Sequence, residues 1–272
     1  MSWWGKLIGG TFGFMLGGPL GAALGAALGH NFDKGMQRID LDGVASGADV
    51  EKIQSAFFTA SFYMMGHLAK ADGRVSQDEI QLAQRVMQQM NLSAQQKKVA
   101  IRLFDQGKNQ EIPANEILEQ FRKECHRRRN LIQMFLEILI MTAYADGKLH
   151  HAEEKILWDC AKQLGFNQFL FRQILNSINA QQHFHQQGGQ SSGRAAVDSR
   201  GMSLDDAYKL LGISASASEQ ELKKAYRRQM NQHHPDKLVS KGLPQEMMEI
   251  ANQKAQDIKT AYDLIRQKRK NI

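Results

Sequence analysis

The stretch Glu219–Asp236, EQELKKAYRRQMNQHHPD, decides how this chain is read. Leu222, Ala225, Tyr226 and Met230 recur at helical spacing and define an apolar face. Lys223 and Arg227, like Lys224 and Arg228, stand four apart, so the four charges form one cationic band over adjacent turns. Ser216 or Ser218 caps the start, each with a glutamate three positions on. Pro235 lacks an N–H and disfavours helical torsions at His234, so the helix ends there in a turn that presents His234, Pro235 and Asp236. No apolar core requires those three residue types together.

The neighbouring sequence supplies partners for the apolar face. Leu204–Leu211 reads as a short helix ended by Gly212. Pro244 opens a last helix running to about Lys268, with Met247, Ile250, Ala251, Ile258, Ala261, Tyr262 and Ile265 along one stripe. In this order the three helices resemble the J domain of DnaJ-type co-chaperones. Ala207-Tyr208-Lys209-Leu210-Leu211-Gly212 is similar to that family's first helix, Leu222–Arg228 to its basic second helix, His234-Pro235-Asp236-Lys237 to its loop, and Ile258–Leu264 to its third helix. The resemblance implies that the loop and the basic helix dock on a DnaK-class chaperone and trigger hydrolysis of the ATP bound there. His234, Pro235, Asp236, Lys223, Lys224, Arg227 and Arg228 inherit that role, and the chain itself is not expected to be an enzyme. Gln229 and Ala255 depart from the family pattern, and the segment from Asp236 to Pro244 is longer than usual.

Composition sets the wider frame. A length of 272 residues favours more than one domain, 42% hydrophobic residues permit real cores, and a formal net charge of +7 suits acidic partners. Cys125 and Cys160 are isolated, which fits a reducing compartment and excludes the cysteine-rich zinc region of full-length DnaJ. No nucleophile and base pair, phosphate loop or zinc spacing is present, so no cofactor is expected.

At the other end, Leu7–Asn31 carries no Lys, Arg, Asp or Glu and is long enough, at about 1.5 Å per residue, to cross roughly 30 Å of hydrocarbon as a single transmembrane helix. Trp3 and Trp4 suit an interfacial anchor, and Pro19 reads as a tolerated kink. Gly9, Gly13, Gly17, Gly21, Gly25 and Gly29 fall at every fourth position, a stripe that lets two helices approach closely in lipid and predicts a homodimer. Lys34 and Arg38 outweigh Lys6, which places residues 1–6 in the periplasm and the bulk of the chain in the cytoplasm.

After a juxtamembrane linker, 32–50, the region 51–180 reads as all-helical with an internal repeat. Ala69–Ser76 aligns with Ala143–His150 at an offset of 74, and Glu79 aligns with Glu153. Each copy is an apolar helix, an Asp-Gly break and a second helix, a pattern that resembles the TerB-like domain of tellurite-resistance proteins. Asp72, Glu79, Asp146 and Glu153 are candidate hard-oxygen metal ligands if the copies converge. The alternative, which we prefer, is that the Asp-Gly pairs break helices and the two glutamates cap the helices that follow. His126-Arg127-Arg128-Arg129 is a basic cluster suited to lipid head groups or an acidic partner, or is a solvated helix end.

Residues 181–202 are polar and Gly/Ser/Gln-rich and read as a flexible linker that lets the J domain, 203–272, range near the membrane. Anchor, helical middle and terminal J domain together resemble the DjlA type of DnaJ-like inner-membrane protein. The expected architecture is all-α: a transmembrane helix, a TerB-like helical domain and a J-domain helical hairpin. The implied function is that of a regulatory co-chaperone of a DnaK-class partner at the inner membrane, with output to an envelope-stress phosphorelay and capsule synthesis. Nucleic acid is not among the expected partners. The competing reading is a membrane-tethered adaptor whose TerB-like region binds a protein or metal ligand.

Overall fold

The computed structural model describes residues 17–28, 45–70, 87, 92–144, 148–188 and 202–270, and among them every regular element is helical. In chain order these are α1 (Gly18–Leu28), α2 (Ala45–Ala69), α3 (Ala94–Asn109), α4 (Ala114–Glu124), α5 (Arg129–Ala143), α6 (His151–Gln163) and α7 (Gln168–Gly188). The C-terminal part adds α8 (Leu204–Leu211), α9 (Glu219–His233), α10 (Pro235–Ser240), a 3₁₀ turn (Gln245–Met247) and α11 (Met248–Lys270).

The middle of α2 is apolar on every side, and such a helix is stable only when surrounded. Phe57, Phe58, Phe62, Tyr63, Met64 and Met65 are accordingly inaccessible to solvent, with α3, α4 and α5 packed around them. Phe57 meets Phe121 and Phe135 edge-on at 5.9 and 6.0 Å between ring centroids, tying α2 to α4 and α5. The α2–α3 crossing is closer still. A Cβ placed on Gly66 would lie 1.9 Å from the Phe104 carbonyl oxygen, and one on Gly107 would lie 1.8 Å from that of Tyr63, so two glycines bring the backbones together. Beside this crossing the Tyr63 hydroxyl donates to the Ile112 carbonyl at 2.5 Å and accepts from the Ile112 N–H at 2.8 Å, closing the α3–α4 connection.

Several expectations change here. The predicted span 7–31 is described only over residues 17–28. Gly17 has φ +54°, outside the helical range, and α1 begins at Gly18. Pro19 therefore sits in the first turn of α1, where a missing N–H costs nothing. Leu20, Ala23, Leu24 and Ala27 of α1 are buried on α3 and α4, and Arg102 donates to the Ala27 carbonyl at 2.9 Å. Of the glycine stripe, Gly17 is exposed, Gly21 buried and Gly25 half-buried, while Gly9, Gly13 and Gly29 lie outside the described residues. Among the described residues no helix is long and apolar enough to cross a membrane.

The supposed linker 181–202 begins as ordered helix, because α7 continues to Gly188. The long segment after Asp236 is not an open loop either. Pro235 takes the first position of α10, the place that suits its fixed φ, and Pro244 precedes the 3₁₀ turn leading into α11. The basic run His126–Arg129 forms the tight turn between α4 and α5, with Arg127 at φ +65° and exposed.

The J-domain core is separate from the larger one. Ala207, Leu210, Leu211, Leu222, Ile258, Ala261 and Ile265 bring α8, α9 and α11 together, with Tyr226 stacked on Tyr262 at 4.2 Å. Gly212 caps α8 with φ +68°, the left-handed conformation that glycine adopts without strain.

Candidate functional site

α9 is set by its ends. Of the two candidate caps, Ser218 is the one used: its hydroxyl accepts from the Glu221 N–H at 3.2 Å, and Glu221 accepts from the Ser218 N–H at 2.7 Å. That backbone hydrogen bond holds the Glu221 carboxyl below its ordinary pKa. Leu222 then turns into the J-domain core and Ala225 is buried as well, so Lys223, Lys224, Arg227 and Arg228 turn out to solvent. Lys223 has a carboxylate one turn back, Glu219 at 3.6 Å.

At the far end His234 is extended, φ −62° and ψ 123°, which is what a residue before proline prefers. Its carbonyl accepts from the Leu238 N–H at 3.0 Å and starts α10. The Asp236 side chain is 90% exposed and that of His234 44%. The His234 Nδ1 is buried without a hydrogen-bond partner and lies 4.0 Å from Asp236 Oδ2. Lys237 is hydrogen-bonded to Asn231, folding the turn back on the last turn of α9. The seven residues singled out in the sequence thus lie on one helix and the turn that ends it. The four cationic side chains and Asp236 reach solvent, while His234 and Pro235 are half-covered. Four solvent-facing cations on one helix suit the group to recognition of an acidic surface.

The predicted metal ligands do not assemble into a described site. Asp72, Glu79 and Asp146 lie outside the described residues, and Glu153 accepts from the His150 N–H at 2.9 Å as the capping residue of α6. No group of three metal-ligating side chains occurs among the described residues. Cys125 and Cys160 are buried, and burial first of all pushes both thiols up, that of Cys160 to about 12.

Sequence reading missed the residues directly behind the turn. His233 is buried and its Nε2 lies 2.9 Å from Glu137 Oε1 of α5, while Nδ1 lies 3.0 Å from the Gln229 carbonyl. Both ring nitrogens face oxygen atoms, one on each domain. Lys254 Nζ stands 3.7 Å from the other Glu137 oxygen and donates to Gln181 of α7 at 3.0 Å. A signal for this existed: Glu137 is the lone charge in the apolar run Leu131–Ala143.

Three family models match the chain in the order of its parts: "Co-chaperone DjlA transmembrane domain" over residues 1–39, "Tellurite resistance protein TerB" over 58–176, and "DnaJ domain" over 206–271. The co-chaperone protein DjlA of Photobacterium profundum is 45% identical, over 98% of this chain and 99% of that protein. The chain belongs to the DjlA family of co-chaperones. Its relatives include the DjlA proteins of Coxiella burnetii, 44% identical over the whole of both chains, and Shewanella oneidensis, 45% identical over 99% of each. No solved structure matches the chain. As in the family models, the DjlA chain joins an N-terminal transmembrane-domain region, a TerB region and a J domain.

Proposed function

We propose that this chain is a regulatory co-chaperone that binds a DnaK-class partner through α9 and the His-Pro-Asp turn and stimulates its ATP hydrolysis at the inner membrane. One observation carries the reading: Lys223, Lys224, Arg227 and Arg228 are solvent-facing on the helix that His234-Pro235-Asp236 ends. The cationic band attracts and orients an acidic chaperone surface, and the turn supplies the contact that the band alone lacks. The chain contributes no reacting group, and the phosphate chemistry belongs to the partner.

Attachment to the membrane comes from the first 39 residues, with the N-terminus periplasmic and the rest cytoplasmic, where an ATP-loaded DnaK-class partner is found. The charge asymmetry around residues 7–31 supports that orientation. Pairing of two chains through the glycine stripe belongs to the same reading and rests on its four-residue spacing. Output to an envelope-stress phosphorelay and capsule synthesis is the downstream role implied by the DjlA resemblance.

The test is single-turnover ATP hydrolysis by DnaK with the full chain in phospholipid vesicles. His234→Gln is expected to abolish stimulation while the helical circular dichroism is retained. Stimulation by that variant equal to the parent's overturns the reading.

A further inference from the structure

Although a polar linker precedes it, the J domain does not stand apart from the TerB-like domain. Leu238, Leu243, Met247, Ile250 and Ala251, all between the signature and the middle of α11, belong to the larger core and not to the J domain's own. Gly242, at φ +101°, is pressed onto α2 so closely that a Cβ there would lie 2.7 Å from Ile53 Cγ2. Gln96 of α3 donates to Glu246 at 2.7 Å. The unusually long stretch after Asp236 is therefore the part of the J domain that faces its neighbour.

At the centre of this contact lies a cluster of buried charge. Glu137, His233 and Lys254 are 3%, 2% and 4% exposed. Glu137 comes from the TerB-like domain and its partners His233 and Lys254 come from the J domain, so neither domain alone can satisfy the group. Gln133 donates to Glu137 at 2.8 Å and is hydrogen-bonded to Gln232, while Gln181 is hydrogen-bonded to Asp257. Buried charges cost more than apolar packing of the same volume but reject any surface that lacks the matching charges. That selects this J domain, in this orientation, over an unspecific apolar contact.

The orientation bears on recognition. His233 immediately precedes His234, and the contact that buries His233 leaves Lys223, Lys224, Arg227, Arg228 and Asp236 facing outward. We infer that the TerB-like domain is the seat of the chain's own J domain, and that Glu137 is a positioning residue which, through His233, holds the His-Pro-Asp turn in the orientation that engages the chaperone. This rests on the DnaK-class reading above. A turn held ready spares the chaperone from selecting it out of a mobile ensemble, so loss of the seat raises the concentration needed in proportion to the fraction of competent J domains that remains.

The experiment uses the full chain in vesicles of phosphatidylethanolamine and phosphatidylglycerol, with two readouts: backbone hydrogen exchange, and DnaK ATP turnover against co-chaperone concentration. Two variants break the seat from opposite sides, Glu137→Ala within the TerB-like domain and Gly242→Val against Ile53. In both, protection of residues 238–251 is expected to fall at least tenfold while residues 258–265 and 57–65, in the two cores, keep theirs. Half-maximal stimulation is expected to move to a severalfold higher concentration with the maximal turnover unchanged. Unchanged protection in both variants overturns the seat. Loss of protection with stimulation as tight as the parent's, or tighter, overturns the positioning role. If the parent fails to stimulate DnaK, the proposed function falls and the positioning role falls with it, while the exchange readout still tests the seat.

Discussion

His233 and Glu137 stand 96 positions apart in the chain and meet at 2.9 Å in a site closed to solvent, with Lys254 on the other carboxylate oxygen at 3.7 Å. Burial by itself raises the Glu137 carboxyl. The charges of His233 and Lys254, and hydrogen bonds from His233 and Gln133, more than offset this and hold it down at about 2. A carboxyl depressed in the folded state contributes stability that is present above its ordinary value of 4.5 and is lost as the pH falls through the window towards 2.

The first prediction follows from that sign. The urea midpoint of the full chain in detergent micelles should decline between pH 5 and pH 3 more steeply for the parent than for Glu137→Gln, since other carboxyls titrate alike in both. At pH 7 the variant leaves Lys254 buried without its counter-charge, and the loss is expected to fall on the contact between the two domains. Parallel pH profiles for the two proteins would falsify the ionised-cluster assignment.

The second prediction concerns the α2–α3 crossing. At Gly66 an added methyl meets backbone, the Phe104 carbonyl, and not a side chain free to rotate away. The helices must separate, which also loosens the tyrosine bridge from Tyr63 to Ile112. Gly66→Ala is expected to destabilise the TerB-like domain by about 3 kcal/mol, the upper part of the range for overpacking, and Gly107→Ala by a similar amount. A midpoint for Gly66→Ala within a degree of the parent's would show that the crossing has slack.

How far the sequence disclosed this arrangement depended on the range of the interactions. The bounds of α8 and α9 were legible because their causes are local: Ser218 with Glu221, Gly212, and proline after His234. The cationic band and the signature turn were legible for the same reason, since all seven residues lie within one short stretch. Pro235 ends α9 at His234 as read, but that it also opens α10 was not legible, since that short helix buries Leu238 in the larger core with Leu243 just beyond it. The seat was illegible as a pairing, since Glu137 and Lys254 meet only after both domains have folded.

The last prediction addresses the cationic band. Arg227 and Arg228 are exposed, lie on the solvent side of α9 and belong to neither hydrophobic core, so reversing them to glutamate should leave helicity and thermal midpoint unaltered. Charges at the edge of an interface act chiefly on the rate of encounter, and salt screens them beyond a Debye length of about 10 Å at 0.1 M. Surface plasmon resonance between immobilised DnaK and the full-length Arg227→Glu, Arg228→Glu variant should therefore show an association rate lower by roughly tenfold at 50 mM salt, with the two proteins converging at 500 mM. The dissociation rate should change less, because the turn at His234 is intact. An equal loss at both salt concentrations would instead mean that the arginines make desolvated contacts with the partner, and a variant that associates as fast as its parent would remove the band from the recognition surface.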